Sequence, residues 1–547
     1  MIAEAAGMSK WAADIMQQKY SHTLPSGDKE TWSQIAERVP RHVLGAVNAT
    51  PELIARVTRS MVEKKFMPGG RYLAATGKPL HQTQNCVLNS AHDSREGWAD
   101  HLYKAAMALM TGAGLGVVYS DLRAEGTPIR KTGGTASGPI ALMQITNEGS
   151  RGFRQGGDRR GAIWAGLHWW HADVFKFIAL KNWPEEVQAL KAKDFNFPAP
   201  MDGTNISVIL DTEFFTAYED STHTRHALAV KVYWAVVEQM ARTGEPGFSV
   251  DCGKNEGENN RNACCEITSY DDSDICNLGS INMARVESIE EFAQLVDDGI
   301  AFLLAGTVYS DVPYPKIDQI RTKNRRLGLG LMGLHEWLLK RGKKYGPDLE
   351  LQKYLEIYAR SGEAAERHAQ AWGLSVPIKT RAIAPNGTIG IVAETTTGIE
   401  PVFCVAYKRR YLVGDTWKYQ YVVDPCAKRL IESGIDPENV EDAYSIDVQR
   451  RIEFQAWVQQ YVDHAISSTI NLPAWGSKDN NVDLVQSFGD RLMSYLPSLR
   501  GITCYPDGAR GGQPLSPVDY NTAIAHVGEV FEEQVDVCDR FRTGGCG

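Results

Sequence analysis

An amide, a thiol and a carboxylate follow one another at two-residue intervals at Asn262, Cys264 and Glu266. In an extended segment, side chains at this spacing fall on the same side of the backbone. The segment would then present one sulfur flanked by a hydrogen-bonding amide and an acid/base. A later cysteine, Cys276, opens a short apolar alternation, which predicts that it enters a strand. These residue types allow sulfur chemistry assisted by proton transfer.

The composition predicts a large soluble globular protein. The chain has 547 residues, of which 43% are apolar and 23% charged, and its net charge is −9. This charge argues against a surface for duplex nucleic acid, although local positive groups could still bind nucleotides. We find no apolar run of the ~18–20 residues that span a bilayer and no signal-like N-terminal segment. We therefore expect a cytoplasmic protein that engages neither membrane nor nucleic acid, with its ten cysteines reduced.

The elements that must position these residues can be read along the chain. Amphipathic patterns over residues 12–20 and after Thr31 predict N-terminal helices. The apolar run around Cys86 predicts a buried strand, and Asp93 begins a predicted helix that ends at a group of glycines. These glycines are Gly112, Gly114 and Gly116. Further strands are predicted over residues 204–210, 468–473 and 501–508.

Two glycine-containing segments could bind phosphate or respond to a ligand. Residues 155–161 place glycines on both sides of two arginines, which predicts either a mobile cationic loop or an ordinary surface turn. Residues 384–390 place a Pro-x-Gly-Thr turn at a predicted helix start. Such a turn exposes backbone N–H groups and a hydroxyl, so it is either a phosphate cradle or a capped helix without a ligand.

Other patterns favour structural interpretations. Gly328, Gly330 and Gly333 match G-x-G-x-x-G, but the preceding residues are polar, so we expect close packing at a helix start rather than a dinucleotide site. His168 and His171 would point to opposite faces of a strand, which disfavours a metal site. A zinc site would have to draw on four cysteines without any C-x2-C pair among them. These are Cys252, Cys264, Cys265 and Cys276.

Taken together, the motifs resemble those of the catalytic (large) chain of ribonucleotide reductases. The resemblance rests on Asn-x-Cys-x-Glu at residues 262–266, Cys-Asn-Leu-Gly-Ser-Ile-Asn at 276–282, the run around Cys86 and the Pro385 turn. It is nearest to the class II, adenosylcobalamin-dependent members, and it implies an α/β fold. We expect a helical N-terminal lobe over residues 1–75 without an ATP cone, a ten-stranded α/β barrel with a central finger loop over 76–520, and a C-terminal helix and cysteine-bearing tail over 521–547.

The resemblance implies that the chain reduces ribonucleoside di- or triphosphates to 2′-deoxyribonucleotides by thiyl-radical chemistry. Cys264 would carry the thiyl radical. Glu266 would exchange the proton of the 3′-hydroxyl, and Asn262 would hydrogen-bond the same region. Cys86 and Cys276 would supply two electrons and become a disulfide. A scaffold protein that had kept only the fold would be expected to lack one of these groups, and all are present.

The same resemblance implies binding sites for substrate and for a nucleoside triphosphate effector. Substrate contacts are expected at six residues: Asn85, Gly114, Pro385, Asn386, Gly387 and Thr388. Effector contacts are expected at Asp93 and Arg123, at a homodimer interface. A specificity loop linking the two sites is expected at Gln155, Gly156, Gly157, Arg159 and Arg160.

The resemblance also implies a reductant and a radical source. Cys538 and Cys546 would be the tail thiols that reduce the active-site disulfide and are themselves reduced by a thioredoxin- or glutaredoxin-like protein. Their spacing departs from the family, and they could equally be two exposed cysteines without a redox role. Adenosylcobalamin is the expected radical source. The alternative is a class I-type chain served by a separate metal-containing small subunit through Tyr505, which Pro506 rather than a second tyrosine follows.

Overall fold

The computed structural model describes residues 8–131, 133–153, 161–193, 197–253, 256–413, 416–509, 515–527 and 529–531. Its α-helices are α1 (Lys10–Lys19), α2 (Trp32–Gly45), α3 (Pro51–Val62), α4 (Gly70–Ala75), α5 (Arg95–Met110), α6 (Gly138–Gly152), α7 (Val174–Ile178), α8 (Glu185–Lys193), α9 (Thr212–Glu219), α10 (His226–Thr243), α11 (Ile289–Tyr309), α12 (Pro315–Asn324), α13 (Leu334–Leu339), α14 (Leu349–Ala359), α15 (Ser361–Trp372), α16 (Gly387–Ala393), α17 (Pro425–Glu432), α18 (Val448–Gln459), α19 (Val482–Tyr495) and α20 (Tyr520–Ala525).

Its strands are β1 (Phe66–Pro68), β2 (Cys86–Ser90), β3 (Gly114–Val118), β4 (Ile163–His168), β5 (Thr204–Asp211), β6 (Gly247–Asp251), β7 (Asn260–Arg261), β8 (Thr268–Ser269), β9 (Asp274–Ile275), β10 (Leu278–Asn282), β11 (Gly328–Met332), β12 (Ala406–Val413), β13 (Thr416–Val423), β14 (Thr469–Leu472), β15 (Gly501–Pro506), β16 (Leu515–Pro517) and β17 (Val530–Phe531).

The N-terminal region is helical, as the sequence predicts. Thr31 and Gln34 form a reciprocal capping box at the start of α2, a device that is typically worth about 1 kcal/mol. The apolar face of α2 buries Ile35, Val39 and Val43 in a core shared with α3, α11 and the strands β1, β10 and β11. By length and composition alone, α11 could cross a membrane, yet most of its apolar stretch is buried inside the protein.

Two groups of parallel strands form the centre of the molecule. β2, β3, β4, β5 and β6 pair in that order and are parallel throughout. In the second group, β10 pairs with β11, and β11 pairs in turn with the short segment 381–383 through residue 381. Residue 383 of that segment pairs with residue 466, which lies just ahead of β14, and β14 pairs with β15. All these pairings are parallel. Each group therefore contributes five strand segments.

Two antiparallel seams join the groups into a ring. At one seam Gly501 of β15 pairs with Ser249 of β6. At the other, β9, which leads directly into β10, pairs with β2 through Val87 and Ile275. Hydrogen bonds thus run around ten strand segments, which confirms the ten-stranded α/β barrel expected from the sequence. The other described strands include a four-stranded antiparallel sheet in the order β16-β12-β13-β17.

Several local expectations were wrong about where the glycines lie. Gly112 does follow the end of α5, but Gly114 and Gly116 are residues of β3 rather than helix terminators. Likewise, Gly328 and Gly330 lie within β11, and only Gly333, with a left-handed φ of 70°, stands at the start of α13. The helix expected from Asp93 begins two residues later, after the cap provided by Ser94. The domain boundaries proposed from the sequence stay a prediction.

Candidate active site

The finger loop, residues 262–267 between β7 and β8, lies inside the ring of strands because glycines on the strands leave room for its backbone. A Cβ placed on Gly116 of β3 would lie 1.8 Å from the carbonyl oxygen of Arg261. A Cβ on Gly114 would lie 2.7 Å from the sulfur of Cys86 and 2.9 Å from the Cβ of Ala263. Even alanine at either position would collide with these groups, so the glycines make the insertion possible.

The finger loop is a turn and not the extended segment predicted from its spacing. The Cys265 N–H donates to the Asn262 carbonyl oxygen at 3.0 Å, and Cys265 has a left-handed φ of 69°. The Asn262 side-chain oxygen accepts from the Ile267 N–H at 3.0 Å and so spans the loop. The prediction that the side chains of Asn262, Cys264 and Glu266 fall on one side of an extended backbone therefore does not apply. The positions of Asn262 and Glu266 depend on this turn.

Glu266 is a buried carboxyl beside unsatisfied polar atoms. Its Oε2 and the Nδ2 of Asn262 are both buried and make no hydrogen bond of standard geometry within the described residues, although the Asn262 side chain lies close enough to Glu266 to moderate the rise in its pKa. Burial raises the pKa of Glu266 to about 7. Because each neighbour leaves hydrogen-bonding capacity unused, the pair is suited to a ligand that brings its own hydroxyl groups. A carboxyl that titrates near neutral pH can both accept and return a proton.

Cys86 and Cys276, 190 residues apart in the sequence, are neighbours at the seam between β2 and β9. The Cys86 N–H donates to the Cys276 sulfur at 2.9 Å, and the Cys276 N–H donates to the Cys86 carbonyl oxygen at 2.8 Å. Both thiols are buried, and burial raises the pKa of Cys276 well above its ordinary value. They share an apolar cluster with Ala263 of the finger loop and with Ala384. The two thiols expected to form a redox pair therefore lie together beside the loop.

Cys264, by contrast, is only partly buried and faces a cavity of about 460 Å³. Pro385 lines the same cavity, so the sulfur and the Pro385 turn open onto one space. Other lining groups include Glu400 and Arg451, which form an ion pair. Glu400 lies in the run of residues 398–401 that resembles the family but was not predicted to be a site residue, and Arg451 was missed because one arginine among many gives no local signal. A cavity of this size is within the usual range for small-molecule sites.

The Pro385 turn has the predicted form. Asn386 adopts a left-handed φ of 55°, and its side-chain amide donates to the Ser280 hydroxyl of β10 at 3.0 Å. Gly387 begins α16, and no described atom lies within 4 Å of the Cβ that an alanine would add there. Thr388 is partly exposed. The other predicted substrate residue, Asn85, precedes β2, and its N–H donates to the Cys276 carbonyl oxygen at 3.3 Å.

The predicted effector residues meet away from this cavity. Arg123 Nε lies 2.7 Å from Asp93 Oδ2, and both side chains are partly exposed. Asp93 immediately precedes α5, and Arg123 follows β3. The predicted specificity-loop residues Gln155, Gly156, Gly157, Arg159 and Arg160, and the tail cysteines Cys538 and Cys546, lie outside the described residues.

Tyr505, the residue of the alternative radical relay, lines the cavity together with Cys264. Its ring packs closely against Gly244, where a Cβ would lie 2.1 Å from the ring. On β15 the neighbouring residues Cys504 and Pro506 are buried on the opposite face. The position therefore fits one tyrosine beside the cavity, followed by a proline.

The histidine motif makes ordinary structural contacts. His171 lies beyond the end of β4, and its ring hydrogen-bonds the Leu122 carbonyl oxygen at 2.8 Å. His168, at the end of β4, lies 3.5 Å from an oxygen of Asp211. No group of three or more His, Cys, Asp or Glu side chains in the described part of the chain is arranged to hold a metal ion.

Sequence reasoning also missed a set of buried charged residues beneath the finger loop. The base network comprises Glu258, Asp274, Arg326 and Lys379, whose side chains are at most 9% exposed. Charged residues that are scattered along a chain are usually solvated, so nothing in the sequence marks these four. Only the closed ring brings them together.

Comparison with known proteins agrees with this geometry. The family model described as the ribonucleotide reductase barrel domain matches residues 84–357 and 378–489. A vitamin B12-dependent ribonucleoside-diphosphate reductase of Mycobacterium tuberculosis is 26% identical over 96% of this chain and 83% of its own length. A putative adenosylcobalamin-dependent ribonucleoside-triphosphate reductase of Mycobacterium phage D29 is 25% identical over 90% of this chain and 92% of its own.

A third relative matches less of the chain. The ribonucleoside-diphosphate reductase large chain 2 of Saccharomyces cerevisiae is 26% identical over 55% of this chain and 40% of its own length. The family model covers well over half of the chain and includes the finger loop, both thiols of the pair and the Pro385 turn. The chain therefore belongs to the ribonucleotide reductase family.

Proposed function

We propose that this chain is a ribonucleotide reductase of the cobalamin-dependent class, working in the cytoplasm, with Cys264 as the radical-bearing residue. The observation that carries the proposal is the arrangement around the finger loop. One sulfur opens onto a cavity, a carboxyl that titrates near neutral pH lies two residues away, and two buried thiols are neighbours beside the loop. Each group that the reduction needs is present in one place.

The reaction can be written with each group in a role. The Cys264 thiyl takes the hydrogen atom from C3′, and Glu266 accepts the proton of the 3′-hydroxyl. The 2′-hydroxyl then leaves as water. Cys86 and Cys276 supply two electrons and two hydrogens and become a disulfide, and Cys264 returns a hydrogen atom to C3′. Overall, a ribonucleotide and a dithiol give a deoxyribonucleotide, a disulfide and water.

The substrate is held where the cavity meets the Pro385 turn. The backbone N–H groups at the start of α16 and the Thr388 hydroxyl bind its phosphates, since helix starts attract anions. The unsatisfied Asn262 amide and Glu266 oxygen receive the ribose hydroxyls. The two relatives matched over most of the chain are named for diphosphate and triphosphate substrates respectively, so a nucleoside polyphosphate is the substrate class.

Adenosylcobalamin, when bound, supplies the initiating radical by homolysis of its cobalt–carbon bond. The residues present fit such a source, because Cys264 is partly exposed to the cavity whereas the pair thiols and Glu266 are buried. Asn205 and Asn471, which line the cavity, are the amide side chains that would hold the adenosyl group. The two relatives reported above that are named as dependent on vitamin B12 or adenosylcobalamin match 96% and 90% of this chain.

A class I-type chain is the second candidate, because Tyr505 lines the same cavity as Cys264. In that case a separate metal-containing small subunit would generate the radical. The deciding assay adds adenosylcobalamin, a dithiol and a ribonucleoside di- or triphosphate to the purified chain. We expect deoxyribonucleotide without any second protein. Product that appears only with an added small subunit would establish the second candidate instead.

The assay has a matched pair of cysteine variants. Cys264→Ser should give no product, whereas Cys252→Ser should behave as the parent, since Cys252 is also partly buried but does not line the cavity. Omitting adenosylcobalamin should abolish product in the parent. If both variants lost deoxyribonucleotide formation equally, the cause would be misfolding rather than the chemistry of one sulfur.

The face formed by α5 and α6 supports a homodimer with an effector site at its edge. Tyr103 and Met110, two turns apart on α5, are 52% and 54% exposed, and Ile145 on α6 is 48% exposed. Asp93 lies two residues before the start of α5 and pairs with Arg123 of the loop that follows β3. Tyr103→Glu should give a monomer that no longer changes its base preference with a nucleoside triphosphate. Sedimentation with and without effector measures this, and a monomeric parent that still responds to effector would exclude the arrangement.

A tail reductant fits the burial of the thiol pair. A protein reductant cannot reach the buried Cys86 and Cys276 directly, so a tail carrying Cys538 and Cys546 would deliver reducing equivalents from a thioredoxin- or glutaredoxin-like protein. The double variant with serine at both tail positions should lose turnover with a protein reductant and keep it with a small dithiol. Equal activity of parent and variant with the protein reductant would refute this role.

A further inference from the structure

The finger loop is fixed at its base on both arms by buried groups. On the first arm, Arg261 of β7 donates to the Ser249 hydroxyl at 3.1 Å and to the Val250 carbonyl oxygen at 2.9 Å, both on β6. On the second arm, Thr268 and Ser269 of β8 contact the base network defined above. The first arm is thus tied to β6 and the second arm to the base network.

Both hydroxyls of β8 end on carboxylates of the base network. The Thr268 hydroxyl donates to Glu258 Oε2 at 2.7 Å, and the Ser269 hydroxyl donates to Asp274 Oδ2 at 2.7 Å. Arg326 joins the two carboxylates, with Nη1 at 2.7 Å from Glu258 and Nε at 3.0 Å from Asp274. Two adjacent residues of the loop arm are therefore held through one shared guanidinium.

Lys379 and His464 complete the fixation from the second half of the ring. The Lys379 ammonium hydrogen-bonds Glu258 Oε2, the same oxygen that accepts from Thr268. The Thr268 N–H donates to Nδ1 of His464 at 3.1 Å, and the next residue, Ala465, donates its N–H to the Glu266 carbonyl oxygen at 2.8 Å. Because Nδ1 accepts, the ring is neutral. Burial and nearby cations lower the pKa of His464 well below its ordinary value, which is consistent with this.

The charges of the base network are hard to explain by stability alone. Two carboxylates and two cations are withdrawn from water, and their attraction only about offsets that desolvation, so apolar residues of similar volume would serve stability as well. Apolar residues would not, however, provide hydrogen bonds that fix the orientation of the loop. Hydrogen bonds of fixed geometry at Thr268 set the position of Glu266, two residues earlier, and of Cys264, four residues earlier.

We propose that Glu258, Lys379 and Thr268 are positioning residues, which hold the finger loop so that Cys264 and Glu266 meet the ribose in reactive geometry. The proposal rests on the function proposed above. Binding of the substrate phosphates lies with the Pro385 turn and not with this network, so the network should govern turnover rather than affinity. A displacement of about 1 Å at the reacting atoms is enough to lower a rate by about 100-fold.

The test compares Thr268→Val, which keeps the branched shape and loses the hydroxyl, with Glu258→Gln. We expect kcat to fall about 10- to 100-fold and KM to change by less than about twofold. The matched control is Glu30→Gln, which neutralises a buried carboxylate paired with Arg38 at 2.8 Å in the N-terminal region. The control should lower the thermal unfolding temperature to a similar extent without changing kcat.

A pH profile distinguishes positioning from bulk structure. Lys379 is surrounded by Glu258, Arg500, Asp463 and His464. Burial lowers the pKa of Lys379 to about 8, so its ammonium is lost as pH rises through that value. We expect kcat of the parent to fall on this alkaline limb. Lys379→Arg, which stays charged, should move the limb upward by at least about one pH unit, and Lys379→Met should lower kcat at every pH.

The outcomes separate the two proposals. If Thr268→Val and Glu258→Gln both keep kcat within twofold of the parent while their unfolding temperatures fall as in the control, the network is merely structural and the positioning role is overturned. An alkaline limb that Lys379→Arg leaves in place also counts against it. If the parent itself forms no deoxyribonucleotide under any radical source, the proposed function fails, irrespective of these variants.

Discussion

Replacing Glu266 by glutamine should abolish turnover and yet stabilise the protein at neutral and alkaline pH. The carboxyl is buried, and burial raises its pKa from the ordinary 4.5 to about 7. The folded protein therefore holds a proton on Glu266 over a pH range in which the unfolded chain has released it. The free energy of unfolding therefore falls as pH rises from about 4.5 to about 7, and it stays lowered by the full amount above pH 7. Glutamine carries no charge and avoids this cost.

The magnitude follows from the size of the pKa shift. A shift of about 2.5 units at roughly 1.4 kcal/mol each corresponds to roughly 3 kcal/mol above pH 7. The entropy of unfolding is about 2 cal/mol/K per residue. For a chain of this length, a change of roughly 1 kcal/mol in the free energy of unfolding therefore shifts the unfolding temperature by about one degree. Glu266→Gln should therefore raise the unfolding temperature by about 3 °C at pH 8 and hardly at all at pH 5.

The assay is thermal unfolding of parent and variant between pH 5 and pH 8.5, alongside kcat/KM over the same range. The parent's kcat/KM should rise through about pH 7, because only the ionised carboxylate accepts the 3′-hydroxyl proton. The control Glu30→Gln should instead lose stability: burial raises the pKa of Glu30, but the hydrogen bonds from Arg38 and from the His22 N–H, together with the charge of Arg38, leave it lowered, so neutralisation costs stability. The reasoning would be refuted if Glu266→Gln raised the unfolding temperature equally at pH 5 and pH 8, or lowered it at pH 8.

Four further substitutions test the site. Cys264→Ser should stop deoxyribonucleotide formation while nucleotide affinity, measured by equilibrium binding, stays within about twofold, and any measurable turnover would refute the radical role. Cys86→Ser or Cys276→Ser should end multiple turnover with a dithiol reductant, and the pairing is wrong if neither variant changes the rate. Gly116→Ala should displace the finger loop, abolish kcat and lower the unfolding temperature by a few degrees, whereas Gly362→Ala, in open space on α15, should do neither.

Elements with local causes could be predicted from the sequence. The helix after Thr31, the strand β5 and the turn at Pro385 are determined by residues within a few positions of one another, and all were correctly predicted. Gly114 and Gly116 were misread because glycines after a helix usually end it. Their actual role is to admit the finger loop, whose backbone comes from about 145 residues further along the chain. No local pattern carries that information.

The members of the candidate site were named from the sequence and their roles stay a prediction, but the shape of the finger loop was not predicted. Cys264, Glu266 and Asn262 were found by type and spacing, but the left-handed conformation of Cys265 was not, because nothing in the short motif indicates a turn. The base network had no signal at all, since its charges become neighbours only when the ring closes.

The position of the finger loop inside a closed ring also constrains when, during synthesis, the pairings between its strands can form. During synthesis β2 to β6 are complete long before β15, so the edge of β6 that pairs with β15 stays bare until nearly the whole chain has emerged. Bare strand edges invite pairing with other chains. The hydrogen bonds that close the ring around Cys264 are among the last to form, and a truncated product would carry this cysteine without the strands that surround it.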